Sequence, residues 1–213
     1  MRDLAALQQL VGQSVQSIDT PALVIDLDAM ERNLARMQSY ANAQGIRLRP
    51  HAKMHKSAAL SKLQMQAGAV GVCVQKVSEA AALAAQGVSD IYISNVVSSL
   101  QKCEHLAHIL CRLLGENASK IRLSVATDSL LGIQHLAQAV ARIAPSVVID
   151  VFIEIDVGQA RCGVESGAAA VPLAEAIAKH ASLRFAGLQA YHGRAQRLRH
   201  SLRHIALGLH QFR

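Results

Sequence analysis

The strongest constraint on this chain is a repeat of form rather than of wording. Short apolar runs, each followed by a helix-like run, recur about every twenty to thirty residues, the size of a βα unit. The runs at 22–27 (ALVIDL), 46–50, 70–74 (VGVCV), 90–94 (DIYIS), 121–126 (IRLSVA), 147–155 (VVIDVFIEI) and 184–190 read as seven strands. Between them lie helical signals. Asp28 followed by Glu31 has the form of a capping box, Leu34, Met37 and Ala41 give an apolar stripe, and Gly45 is a stop. Ser57 caps a helix closed by Gly68, and Ser78 caps one over 78–86 closed by Gly87. Further helices are expected over 99–114, 129–143 and 167–180. Several strands are almost wholly apolar, as when both faces of a parallel sheet are covered. The expectation is an α/β fold with a parallel sheet and outer helices. An open doubly wound sheet and a barrel look alike at this level. No GxGxxG follows the first strand, which weakens a dinucleotide-binding reading.

Composition narrows the function. Of the 213 residues 51% are hydrophobic and 17% charged, which supports a sizeable core and excludes disorder as the main state. No apolar run is long enough to span a bilayer, and the opening MRDLAALQQLVGQSVQS has no signal-peptide core, so no membrane partner is expected. Cys73, Cys103, Cys111 and Cys162 form no CxxC pair or finger spacing, which fits free thiols in a cytoplasmic setting. Tryptophan is absent and aromatics are 3%, so stacked-base recognition is poorly supplied. The net charge of +7 is local. Seven bases and no acids follow Glu175, and residues 1–175 hold fifteen of each sign. A neutral body with a basic end is not the spread basic face of a nucleic-acid binder, and no nucleic-acid partner is expected.

Polar residues gather where strands end. The densest group is Arg49-Pro50-His51-Ala52-Lys53-Met54-His55-Lys56. It reads as an anion site or an activated amine, or else as a solvated basic loop. A second group, Glu154-Ile155-Asp156-Val157-Gly158-Gln159-Ala160-Arg161-Cys162-Gly163, sets one arginine among glycines. A planar guanidinium there suits a carboxylate, phosphate or phenolate, or a surface salt bridge. A third is Gln189-Ala190-Tyr191-His192-Gly193, where Tyr191 and His192 can stack on a flat ring and move protons, or fill a core. Gln75-Lys76 and Ser94-Asn95 also end strands. Five strands with apolar bodies and polar ends describe a site built across the C-terminal face of a barrel.

These motifs also carry a resemblance. Asp19-Thr20-Pro21-Ala22-Leu23-Val24, the 49–56 cluster, Cys73-Val74-Gln75-Lys76-Val77-Ser78-Glu79-Ala80, Asp90-Ile91-Tyr92-Ile93-Ser94-Asn95, the run 156–164 and the run 185–193 stand in order over roughly 17–196. Together they resemble the D-threonine aldolase and D-serine dehydratase family, pyridoxal-phosphate enzymes with an alanine-racemase-like (β/α)8 TIM-type barrel. The QKVSEA, DVGQ-x-RCG and LQAYHG wording is most similar to D-threonine aldolase. The resemblance implies that Lys53 forms the internal aldimine with pyridoxal 5'-phosphate. It implies that Arg161 sits by the ring and its phenolate oxygen, that His192 packs on the ring face beside Tyr191, and that Gln75 faces the cofactor. Catalytic roles then fall on Lys53 and His192. The implied reaction splits D-threonine, or another β-hydroxy-D-amino acid, into glycine and an aldehyde. A divalent metal, Mn or Mg, assists in the family, and related enzymes often form homodimers. A D-serine dehydratase-like lyase and a non-catalytic cofactor-binding protein are the alternatives.

The sequence also departs from the family. Members continue past the Tyr-His-Gly motif with a glycine-rich phosphate loop, the last barrel strands and a C-terminal β domain bearing a metal site. No GGG run occurs here, and no metal ligands are assigned. The expected organisation is an N-terminal extension over 1–18, a partial barrel over 19–193 lacking its last strands and the β domain, and a basic tail over 194–213. Weak or absent aldolase turnover is expected of the chain as written. The tail shows a weak helical period at Leu198, Leu202, Ile205 and Leu209.

Overall fold

A computed structural model describes residues 8–117, 121–165 and 167–197. Strands β1 (Val72–Val74), β2 (Asp90–Val96), β3 (Arg122–Thr127), β4 (Ile149–Ile155) and β5 (Leu183–Ala190) form one sheet. Every pairing is parallel and the spatial order is β1-β2-β3-β4-β5. Helices α1 (Leu27–Ala43), α2 (Ala58–Gln66), α3 (Val77–Ala85), α4 (Leu100–Asn117), α5 (Leu130–Ile143) and α6 (Val171–Ala178) fill the connections. A strictly sequential order means that each crossover steps the same way, which is barrel winding and not the reversal of a doubly wound sheet.

The sheet is curled, and two side chains show it. Across a flat sheet β2 and β5 would lie about 14 Å apart, three inter-strand spacings. Yet the Tyr92 hydroxyl on β2 donates to Gln189 Oε1 on β5. Gln189 Nε2 in turn donates to the Ser94 carbonyl at 2.9 Å. The period-2 alternation of each strand then divides the residues. Ile91 and Ile93, and Ile149, Val151 and Ile153, are fully buried toward the helices with Leu106, Ile133, Leu136 and Ile177. Tyr92 and Phe152 meet on the concave side, ring centroids 4.9 Å apart. At Gly187 a Cβ would meet the Phe152 ring at an ordinary 3.5 Å, so it is the backbone φ of +137°, not crowding, that favours glycine.

Two of the seven expected strands are not strands. Residues 22–26 are irregular, and α1 starts at Leu27 with Asp26 as its N-cap, accepting from the Ala29 amide at 2.8 Å. The cap is therefore two residues before Asp28. Leu23, Val24 and Ile25 are 91%, 56% and 44% exposed, with no ladder partner among the described residues. A β-prone run without a partner has nothing to pair its backbone with. Segment 46–50 runs beside β1 without qualifying as a strand. Leu48 and Pro50 carbonyls accept from Val70 (3.0 Å) and Cys73 (2.7 Å), and Ala52 N donates to the Cys73 carbonyl at 2.7 Å. Pro50 has no amide to contribute, so the ladder is incomplete.

Helix starts differ in two more places. Lys76, not Ser78, is the N-cap of α3, and the Glu79 carboxylate accepts from the amides of Gln75 (2.9 Å) and Lys76 (3.3 Å). The 167–180 helix divides into a 3-10 turn, Gly167–Ala170, and α6, with Pro172 in the first turn of α6. Ser57 caps α2 as expected, its hydroxyl accepting from Leu60 N at 3.3 Å. No helix among the described residues is long and apolar enough to cross a membrane. The tail periodicity from Leu198 onward lies outside the described residues.

Candidate active site

The N-terminal and C-terminal ends of the strands carry different chemistry. At the N-terminal end the charges are paired. Arg49 bonds Asp90 at 2.7 Å, passing where Gly71 has no side chain, since a Cβ there would lie 2.3 Å from the guanidinium. Asp150, its side chain 2% exposed, takes Arg122 at 2.5 Å and Arg184 at 2.6 Å. Burial pushes the Asp150 carboxyl up, but the bonds from Arg184 and Arg122 outweigh it and hold the group below its ordinary value.

At the C-terminal end the strands open onto a cavity of roughly 210 Å³. Lys53 reaches it from the turn after the 46–50 segment, Gln75 from the end of β1, and Arg161 and Tyr191 from the loops after β4 and β5. His51, Cys73, Tyr92, Ser94, Gln189 and Ala190 complete the lining. Four of the five residues expected at a cofactor therefore line one cavity. His192 follows the lining residue Tyr191 but is not itself in the lining, and its Nδ1 accepts from Ala195 N at 3.2 Å.

The lining is knitted by neutral hydrogen bonds. Ser94 Oγ donates to the Val74 carbonyl at 3.1 Å and contacts His51 Nε2 at 3.3 Å. His51 Nδ1 accepts from the Lys53 amide at 3.3 Å. With Nδ1 an acceptor and the Ser94 proton committed to Val74, the consistent tautomer puts the His51 proton on Nε2. Burial, then the nearby Lys53 charge, hold His51 below its ordinary pKa, in keeping with a neutral ring. Burial also raises the Tyr92 hydroxyl and the Cys73 thiol, so both stay protonated near neutrality. Tyr92 and Cys73 were not singled out from sequence. The available signal was the alternation of β2 and β1, which sets each opposite a buried aliphatic neighbour.

Arg161 lies over the Tyr191 ring, 5.0 Å from its centroid, a cation–π geometry. Beneath the loop, Glu154 is 4% exposed and stands in register with Gln189. Burial raises its carboxyl, Arg161 opposes that, and Asp128 and Asp156 add to it. The chemistry on offer is one exposed primary amine, one permanent cation beside an aromatic ring, and neutral amides. That set fits a flat, anionic carbonyl compound. Among the described residues no three His, Cys, Asp or Glu side chains gather as a metal centre.

A sequentially wound parallel sheet with an amine at the C-terminal mouth defines an α/β barrel-type domain with the site at its strand ends. The profile described as "Alanine racemase, N-terminal domain" matches residues 25–212, and the chain belongs to that family. It is 41% identical over 188 residues to a D-threonine aldolase of Arthrobacter sp, an alignment covering 88% of this chain and 47% of the relative. It is 42% identical over 186 residues to a 3-hydroxy-D-aspartate aldolase of Paracoccus denitrificans, covering 87% and 46%. The crystal structure of D-threonine aldolase from Filomicrobium marinum superposes with a TM-score of 0.82 at 43% identity, covering 92% of this chain and 50% of that one. The chain spans about half the length of the curated relatives it matches.

Proposed function

We propose that this chain supplies the pyridoxal-phosphate half of a lyase acting on β-hydroxy-D-amino acids, of the D-threonine aldolase kind. The observation that carries the reading is the convergence of Lys53, Gln75, Arg161 and Tyr191, from four separate chain segments, on one cavity. The names of the relatives set the substrate class, and their near-equal identities to D-threonine and 3-hydroxy-D-aspartate enzymes leave it at β-hydroxy-D-amino acids. When bound, pyridoxal phosphate supplies an electron sink for the charge left at Cα as the Cα–Cβ bond breaks.

The chain's own residues then have distinct tasks. Lys53 Nζ is the point of covalent attachment. Arg161, lying over the Tyr191 ring, would present its planar positive fork to the ring oxygen. His192 follows Tyr191 at the edge of the lining, its Nδ1 accepting from Ala195 N, and would face the cofactor ring from there. Gln75, at the end of β1, would offer the cofactor a neutral amide. The domain reading accompanies this one, with the barrel portion over 19–193 flanked by an extension and a basic tail. A cytoplasmic setting suits the four free thiols. The exposed Leu23, Val24 and Leu188 support a homodimer, which sedimentation velocity would check.

The test is chemical. Purified chain is mixed with pyridoxal phosphate, reduced with borohydride and mapped by mass spectrometry. A label confined to Lys53 and lost in Lys53→Ala supports the reading, and a label scattered over surface lysines sinks it.

A further inference from the structure

The loop 156–163, which carries Arg161, is closed on itself at its base. Asp156 N donates to the Val164 carbonyl at 2.8 Å, and Val164 N to the Glu154 carbonyl at 3.0 Å. Asp156 Oδ1 accepts from the amides of Gly158 and Gln159 at 2.9 Å each and of Ala160 at 3.1 Å. These bonds shape the loop but do not aim it, because every one of them joins residues within 154–164. A loop knitted only to itself can still swing about the end of its strand.

Two other bonds tie it to its neighbours. On one side Asp128, just past β3, accepts from the Gly163 amide through Oδ2 at 3.1 Å. On the other, Gln159 Oε1 accepts from the Gly193 amide, beyond β5, at 2.9 Å. The first tie spans 35 positions of sequence and the second 34, so neither comes from local chain geometry. Arg161 sits between the two anchored residues. Both anchor points are glycines pressed close to their surroundings. A Cβ on Gly163, at φ +102°, would lie 2.6 Å from Asp156 N, and one on Gly193 would lie 2.8 Å from the Tyr191 hydroxyl. The second tie therefore ends against the ring over which Arg161 lies.

We propose that Asp128 and Gln159 are positioning residues that clamp the 156–163 loop from both sides and hold Arg161 over Tyr191 at the mouth of the cavity. The aim of the clamp toward a cofactor rests on the proposed function; the clamp itself does not. The variants are Asp128→Ala, Asp128→Asn and Gln159→Ala. Asn keeps an acceptor oxygen without the charge, so it separates a hydrogen-bonding role from an electrostatic one. In the free protein, amide exchange by NMR reads the ties and the Tyr191 ring resonances read the guanidinium above them. Asp128→Ala is expected to speed exchange at Gly163 by about two- to tenfold, what one net hydrogen bond supplies, with β4 amides unchanged. Asp128→Asn is expected to recover most of that protection. Gln159→Ala does the same at Gly193, and both Ala variants shift the Tyr191 ring. Pyridoxal phosphate then binds more weakly in the Ala variants by a similar factor. Unchanged Gly163 exchange and an unmoved Tyr191 ring overturn the clamp. If Asp128→Ala unfolds the whole domain, Asp128→Asn and Gln159→Ala decide by the same two readouts. If the ring and amides respond but the wild-type chain takes no label at Lys53, the clamp stands and the cofactor reading falls.

Discussion

Asp150 and Glu154 lie on the same face of one strand, four residues apart, and meet opposite fates. Asp150, at the N-terminal end of β4, is gripped by two arginines and held below the ordinary carboxylate range. Glu154, at the C-terminal end, is equally buried, has no ion pair among the described residues, and is pushed up. The arginines at the first end point at acids. At the other end Arg161 and the Lys53 amine point at a cavity. One end of the sheet spends its arginines on folding, while the other pairs Lys56 with Glu79 but leaves Lys53 and Arg161 lining a cavity.

The largest expected effect breaks the paired end. Arg122→Ala combined with Arg184→Ala leaves Asp150 buried and unpaired, which should lower the unfolding free energy by about 3 kcal/mol, at the low end for buried pairs because both arginines are more than half exposed. Urea denaturation measures it, and a loss near zero would remove the contrast between the ends. Next comes Gly71→Ala, which pushes the Arg49 guanidinium off Asp90 and should cost about 2 kcal/mol by overpacking. Unchanged stability there would mean that the guanidinium moves freely.

Acid titration sharpens the comparison because the two carboxyls have opposite signs. Asp150 has a lowered folded pKa, so its stabilisation is full above its ordinary 3.8 and is lost as pH falls through the folded value. Glu154 has a raised one, so its contribution is most favourable below its ordinary 4.5 and is lost as pH rises through the folded value. Glu154→Gln should therefore raise neutral-pH stability by up to about 1 kcal/mol and flatten the slope above pH 4.5. A urea midpoint that falls at neutral pH in this variant would show that the charge is satisfied after all. The smallest expected effect on folding is at the open end: Lys53→Met should change stability by less than about 0.5 kcal/mol while abolishing borohydride labelling.

Much of this was legible in the chain itself. β2 to β5 and the capping of α2 follow from local pattern, because an apolar run and a Ser N-cap act over a few residues. Lys53, Gln75, Arg161 and Tyr191 were legible as polar residues just past apolar strands. The strand expected at 22–27 was not a safe inference, since Val24 and Ile25 become strand only if a partner pairs with them. The alternation of β2 could place Tyr92 on the inner face, but not identify its partner. Its bond to Gln189 joins residues 97 apart and exists only because the sheet curls.

The sequence by itself determined the alternation of strand and helix, the parallel character of the sheet and the placing of polar residues at strand ends. Those properties depend on side-chain period and on the reach of a single turn. Only the tertiary structure decided the direction of winding, the pairing of Asp150 with two arginines, the neutral network through Ser94 and Gln189, and the tie from Asp128 to Gly163. Each of these requires two or more distant segments to fall within about 3 Å of one another, the distance at which a hydrogen bond forms and which no local pattern encodes.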